Sequence, residues 1–123
     1  MIYSSVGDLP EKIVYRKITL DNSDWNKWKA GPEHKLLKAE FLWEGSVLKS
    51  KKSVKGASIE LINDVRDPSV FKDEDDKMYL LYSGGGEKGI GIAELKVKTT
   101  KQKQYEWWII WFSFLQMGKR FSR

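Results

Sequence analysis

The block Met78-Tyr79-Leu80-Leu81-Tyr82-Ser83, ended at once by Gly84-Gly85-Gly86, commits this part of the chain to a β-strand and a turn. An acidic turn, Asp73 to Lys77, introduces the block, and the short apolar piece Ser69-Val70-Phe71 precedes that turn after a proline. On the far side, Gly89-Ile90-Gly91-Ile92-Ala93-Glu94-Leu95 alternates isoleucine with small residues. The three segments predict a three-stranded antiparallel meander.

A second unit of the same kind opens the chain. Ile2-Tyr3-Ser4 and the segment Lys12 to Leu20 bracket a turn built from Gly7, Asp8 and Pro10. Ile13, Tyr15 and Lys17 share one face of the second segment and Val14, Arg16 and Ile18 the other, so neither face is purely apolar. The pattern Tyr3-Ser4-Ser5-Val6-Gly7 then Glu11-Lys12-Ile13 echoes Tyr82-Ser83-Gly84-Gly85-Gly86 then Glu87-Lys88-Gly89-Ile90, and the copies close alike in Ile18-Thr19-Leu20 and Ala93-Glu94-Leu95. A small β-sheet repeated at a spacing of roughly 75 to 80 residues points to the blades of a propeller. The alternative is a coincidence between two strand-turn-strand units that use common turn residues.

Between the two units, Asn22 to Asp64 carries few strand signals but holds Trp25, Trp28 and Trp43. Loops this long in a compact domain are usually functional or built around their own side chains. Two readings of the tryptophans follow: wedges between neighbouring sheets, or flat platforms on which sugars stack.

Composition narrows the function classes. Six Trp and an aromatic share of 13% favour a folded chain, and 123 residues set one compact unit as the ceiling. Without Cys, and with His34 as the single histidine, neither a disulfide framework nor a His-pair zinc site can be built. The net charge of +5 is scattered, with small concentrations at Lys49 to Lys55 and Lys96 to Lys103, so no nucleic-acid partner is expected. No secretory leader pattern occupies Met1 to Pro10, which leaves the cytoplasm as the default expectation. Gly84 to Gly89 satisfies G-x-G-x-x-G, but the next element reads as a strand and not a helix. Asp73 to Asp76 lacks the Gly and Glu of a calcium loop and reads as a solvated turn. His34 has no G-x-S-x-G nucleophile to serve. No cofactor and no metal are expected.

The segment Asn63-Asp64-Val65-Arg66-Asp67-Pro68-Ser69-Val70-Phe71, with Asp75-Asp76-Lys77-Met78-Tyr79-Leu80-Leu81-Tyr82-Ser83 after it, resembles the blade opening of five-bladed β-propeller glycoside hydrolases of families 32, 43 and 68 and their relatives. Gly86 to Leu95, with Trp25-Asn26-Lys27-Trp28 and Leu37-Lys38-Ala39-Glu40 upstream, looks like the last blade and a half of that fold. The resemblance covers roughly Ile2 to Leu95 and implies an all-β partial five-bladed propeller whose ancestral activity is hydrolysis of O-glycosidic bonds. In related enzymes an Arg-Asp-Pro aspartate stabilises the transition state, which makes Asp67 and Arg66 the catalytic candidates. Trp25, Trp28, Trp43 and Asn63 are the substrate-binding ones.

Independently of the resemblance, Pro68 is expected to bias Asp67 toward extended backbone at the start of a strand, where the neighbouring guanidinium would keep its carboxylate ionised. Glycosidic cleavage uses two carboxyl groups, and the partner candidates here are Glu44, Glu60 and Glu87. None has a context that singles it out as an acid. In the resembled families the base comes from an early blade and the acid from a middle one, and both would lie upstream of Met1. The expectation is therefore a fragment that does not hydrolyse alone, since four blades of roughly 40 residues are the least that close a propeller. The alternative is a non-catalytic carbohydrate-binding or assembly module whose open sheet edges invite self-association.

After Leu95 the pattern stops, which divides the chain into a partial propeller, 1–95, and a basic and aromatic extension, 96–123. The run Trp107-Trp108-Ile109-Ile110-Trp111-Phe112-Ser113-Phe114-Leu115 is too short to span a bilayer. Its readings are burial against the sheet, a helix, a tail foreign to the fold, or, with Lys119, Arg120 and Arg123 beside it, a disfavoured rest at a membrane surface.

Overall fold

A computed structural model describes residues 1–96. These residues are all-β, arranged in three antiparallel sheets. The aromatic extension lies outside the described residues. Among the described residues no helix is long and apolar enough to cross a membrane.

The predicted meander is present as the third sheet, with β6 (Val65–Lys72), β7 (Met78–Gly84) and β8 (Gly89–Leu95) hydrogen-bonded in chain order. The acidic residues form the β6–β7 turn as a solvated hairpin: Asp73 Oδ1 accepts from the backbone N–H groups of Asp75 at 3.0 Å and Lys77 at 2.9 Å. The β7–β8 turn needs Gly85 and Gly86, whose φ values of +64° and +70° lie in the left-handed region. β6 begins four residues earlier than Ser69, at Val65, and is interrupted at Asp67-Pro68. Arg66 pairs with Ser83 and Ser69 with Leu81, so β6 carries one residue more than β7 across this interval, a β-bulge.

The first sheet is built from β1 (Ile2–Ser4), β2 (Ile13–Tyr15) and β5 (His34–Leu37), in that order. The single strand expected over Lys12 to Leu20 is corrected here. Its ladder with β1 ends where Arg16 N–H donates to Met1 O, and Lys17 O turns away to accept from Gly31 N–H at 2.8 Å. Ile18–Thr19 (β3) then pairs with Lys29–Ala30 (β4) as a separate two-stranded ladder. The echo between the two units therefore holds for β1–β2 against β7–β8 but not for their ends. Ala93-Glu94-Leu95 stays inside β8, whereas Ile18-Thr19 has left its sheet.

The stretch Asn22 to Asp64 also contains more order than its pattern indicates: β4, β5 and two short 3-10 turns, Trp25–Lys27 and Leu42–Glu44. β5 escapes a reading by pattern because His34 and Lys35 are exposed and only Leu37 is fully buried.

The first and third sheets share one core. Ile13 and Leu37 meet Val65, Leu80, Tyr82 and Ala93, with Ile2, Trp43 and Leu95 at the margin. β8 must leave room for Tyr82, and it does so with Gly91: a Cβ there would overlap the Tyr82 ring. The buried phenol cannot swing aside without losing its 2.7 Å hydrogen bond to Glu44 Oε1. Gly91→Ala is accordingly expected to lower stability by about 1–3 kcal/mol, the usual cost of overpacking. A urea titration that left the midpoint unchanged would contradict this packing.

Candidate functional site

Three features concentrate the chemistry of the described residues: a buried charge cluster, a strained acidic bulge and an exposed tryptophan loop. The cluster centres on Asp64 and Arg66, both buried. Arg66 Nε donates to Asp64 Oδ2 at 2.7 Å, Nη1 lies 3.1 Å from Glu87 Oε1, and Nη2 lies 3.7 Å from Glu11 Oε2. The second Asp64 oxygen accepts from Gly86 N–H at 2.7 Å. The Asp64 backbone N–H donates to Glu44 O, and its carbonyl accepts from Gly85 N–H. One residue thus fastens the Glu44 loop, the glycine turn and the start of β6.

Burial works against the Arg66 charge, but Asp64 first, then Glu11 and Glu87, outweigh it and raise its affinity for the proton. Among the described residues Glu11 Oε2 is buried and takes no hydrogen bond, and the Arg66 guanidinium lies 3.7 Å from it. Arg66 also borders a cavity of about 300 Å³ shared with Lys51, Lys52, Ser53, Ser58 and Glu60.

Glu44 organises a second buried group. Its Oε2 accepts from the backbone N–H of Glu40 at 2.6 Å and of Phe41 at 2.9 Å, while Oε1 accepts from Tyr82. Burial, followed by the bond to Glu44, pushes the Tyr82 phenol far above its ordinary range. Trp43 packs beside it, with ring centroids 5.9 Å apart, in the space left by Gly84 and Gly89.

Asp67 departs from its expected setting. Its φ is +51°, left-handed and not extended, because the bulge and not Pro68 governs the backbone there. Aspartate tolerates this region better than most residues. Arg66 and Asp67 are also not an ion pair: Arg66 turns inward to the cluster, and Asp67 stands exposed, accepting from Ser83 Oγ at 3.0 Å. Strained residues of this kind are frequent at functional sites.

The proposed partner carboxylates are all engaged elsewhere. Glu44 is held by three donors, Glu87 faces Arg66, and Glu60 bonds Lys51 at 2.8 Å, which lowers its proton affinity. Asn63 is engaged as well, donating to the carbonyls of Ser46 at 3.3 Å and Leu48 at 3.2 Å.

The tryptophans divide. Trp43 is the wedge, whereas Trp25 and Trp28 stand out in solvent. Asp24 caps the 3-10 turn through Asn26 N–H, and Trp28 Nε1 donates to Asn22 O at 2.8 Å. That bond fixes the indole while leaving the side chain 46% exposed beside an open depression lined by Lys17, Ile18, Leu20 and Ala30.

The chain is 37% identical over 91 residues to an uncharacterized protein of Acanthamoeba polyphaga mimivirus, an alignment that takes in 73% of this chain and 25% of the relative. It spans about a quarter of the length of that curated relative. No family model matches the chain, and no solved structure matches it.

Sequence reasoning placed Arg66, Asp67, Trp25, Trp28, Trp43 and Asn63, and the structure gathers only Trp25 and Trp28 into one exposed loop. Glu11 and Glu87 hold matching places in the repeat and Asp64 lies inside the Asn63 to Phe71 segment, but nothing in those patterns marks the three as partners of Arg66. The cue available for Asp64 is its position two residues before Arg66 on the same strand opening.

Two outcomes are expected. Arg66→Met leaves buried carboxylates without their cation and should cost about 3–5 kcal/mol, read as a lower midpoint in urea. A Tyr82 pKa raised on folding means that stability is fully present below the free phenol's value near 10 and falls as the pH rises above it. Denaturation curves in that alkaline range should lose part of their pH slope in Tyr82→Phe.

Proposed function

We propose that the described residues are neighbouring blades of a β-propeller of the glycosidase type that binds carbohydrate without cleaving it. The observation that carries this reading is Trp28. Its indole is tethered by a hydrogen bond to Asn22 O yet keeps much of its surface in solvent, over a concave apolar floor of Ile18, Leu20 and Ala30. A fixed aromatic face with polar neighbours is what a sugar ring stacks on. Asn22, Asn26 and the exposed Trp25 stand in the same loop.

A three-stranded meander, β6–β7–β8, and a three-stranded sheet, β1–β2–β5, that share one apolar core support the propeller part. The resemblance of Asn63 to Phe71 and of Met78 to Leu95 to a propeller blade supports it too. The absence of hydrolysis follows from the carboxylates. Asp67 is exposed and available, but Glu44 and Glu87 are committed to internal partners and Glu60 to a surface lysine. A general acid needs its proton affinity raised, and the pairing of Glu60 with Lys51 moves it the other way.

Calorimetry of the full chain against a panel of neutral oligosaccharides should show binding, weakened at least tenfold in Trp28→Ala, since truncating an aromatic anchor costs about 2 kcal/mol or more. Aryl glycosides should remain intact. Turnover abolished by Asp67→Asn would overturn the non-catalytic part, and heat-silent titrations across the panel would overturn the binding part.

A further inference from the structure

The connection from the 3-10 turn at Leu42–Glu44 to β6 crosses residues 45–64 without a strand or helix. Two serines hold its middle. Buried Ser53 donates its N–H to Asp8 O at 3.1 Å, and its Oγ accepts from Gly7 N–H at 2.8 Å. Ser58 N–H donates to Glu87 Oε1 at 3.4 Å, and Ser58 Oγ donates to Glu60 O at 3.0 Å. Between these anchors Val54-Lys55-Gly56-Ala57 forms a tip that stands clear of the body. Gly56 has a φ of +104°, and a Cβ added there would meet no atom within 4 Å.

The loop shows water two kinds of side chain at once. Val54 is 72% and Ile59 89% exposed. Lys49, Lys51, Lys52 and Lys55 run beside them, and Glu60, the one carboxylate between Gly45 and Ile62 in sequence, is taken by Lys51 at 2.8 Å. Among the described residues Lys49, Lys52 and Lys55 pair with no carboxylate. Val54 and Ile59 line one cavity of about 300 Å³ together with Lys51 and Lys52, so the apolar and cationic side chains share a surface. Lys88 Nζ, 3.5 Å from Ser58 O, adds a cation from the β7–β8 turn.

We infer that this loop docks on an anionic lipid bilayer, with its lysines at the headgroups and Val54 and Ile59 entering the interface. Clustered lysines are drawn to an anionic membrane surface, and apolar side chains add to the binding by the area they bury there. The composition of the loop selects this occupant. Residues 45–62 hold neither aromatic rings nor arginine, the groups on which nucleic-acid bases stack. An acidic protein would use the lysines but leave Val54 and Ile59 in water. A tip open on all sides meets a flat surface without rearrangement. The loop is separate from the aromatic run 107–115, and the inference stands apart from the carbohydrate reading.

The test is co-sedimentation of the full chain with vesicles of one part phosphatidylserine to two parts phosphatidylcholine, beside vesicles of phosphatidylcholine alone. The chain should bind the anionic vesicles about tenfold more tightly than the neutral ones, and less tightly as salt rises. The double variant Lys52→Glu, Lys55→Glu should weaken that binding by about tenfold or more, and so should Ile59→Asp. All three side chains are exposed, so the fold tolerates the changes. Lys29→Glu with Lys35→Glu, an equal change in charge on β4 and β5, should weaken it far less. Equal binding to both vesicles, or none to either, would overturn the proposal. Binding that survives the loop variants would overturn it too, since it would then belong to residues 107–115. A response to the lysine pair without one to Ile59→Asp would also overturn it, as the mark of a purely electrostatic contact.

Discussion

The contact between Asp64 and Arg66 decides how the described residues hold together. Neither sheet supplies enough apolar surface alone, and their shared core is small: Ile13 and Leu37 on one side, Val65, Leu80, Tyr82 and Ala93 on the other. The polar cluster makes the joint specific. Arg66 reaches Glu11 in the loop between β1 and β2 and Glu87 in the turn between β7 and β8, so one guanidinium ties both hairpins to the opening of β6. Buried ion pairs add little net stability over apolar replacements of the same shape, but breaking one is costly. Here the cluster fixes which loops meet, and the apolar core supplies the gain from burial.

The third sheet was legible because its strands are consecutive and its turns are written locally. An aspartate-rich stretch and a glycine run bracket Met78 to Ser83. The first sheet was only half legible. β5 and the β3–β4 ladder exist through pairing with distant segments, and two-residue strands leave no periodicity to find. The sequence sets Arg66 and Asp67 side by side, but successive side chains of a strand point to opposite sides, so Arg66 turns into the cluster and Asp67 to solvent. Glu11 and Glu44 are ordinary glutamates in sequence, and only the fold brings them inside. Trp28 and Trp43 show the same limit. Trp43 is wedged because Gly84 and Gly89 leave space for it 40 or more residues later, and Trp28 is held out by a bond to a carbonyl six residues before.

The division among the tryptophans also bears on what the loop can do. A wedge and a platform ask opposite things of the same side chain: one must lose its water, the other must keep it until a ligand arrives. Asn22 and Asp24 make the difference locally, by capping the 3-10 turn and holding the indole nitrogen. Asp67 follows a similar logic at the bulge. Its left-handed backbone is kept by the ladder on either side, and its carboxylate stays free of Arg66.

The wiring of Asp64 has a kinetic side. The β7–β8 hairpin, with its four-residue connection, can close by itself on the scale of about 1–10 μs. The opening of β6 cannot: Val65 N–H waits for Glu11 O and Asp64 N–H for Glu44 O, partners far away along the chain. Closing the corner around Arg66 therefore costs more chain entropy than closing that hairpin, which is why its long-range hydrogen bonds depend on both hairpins being in place.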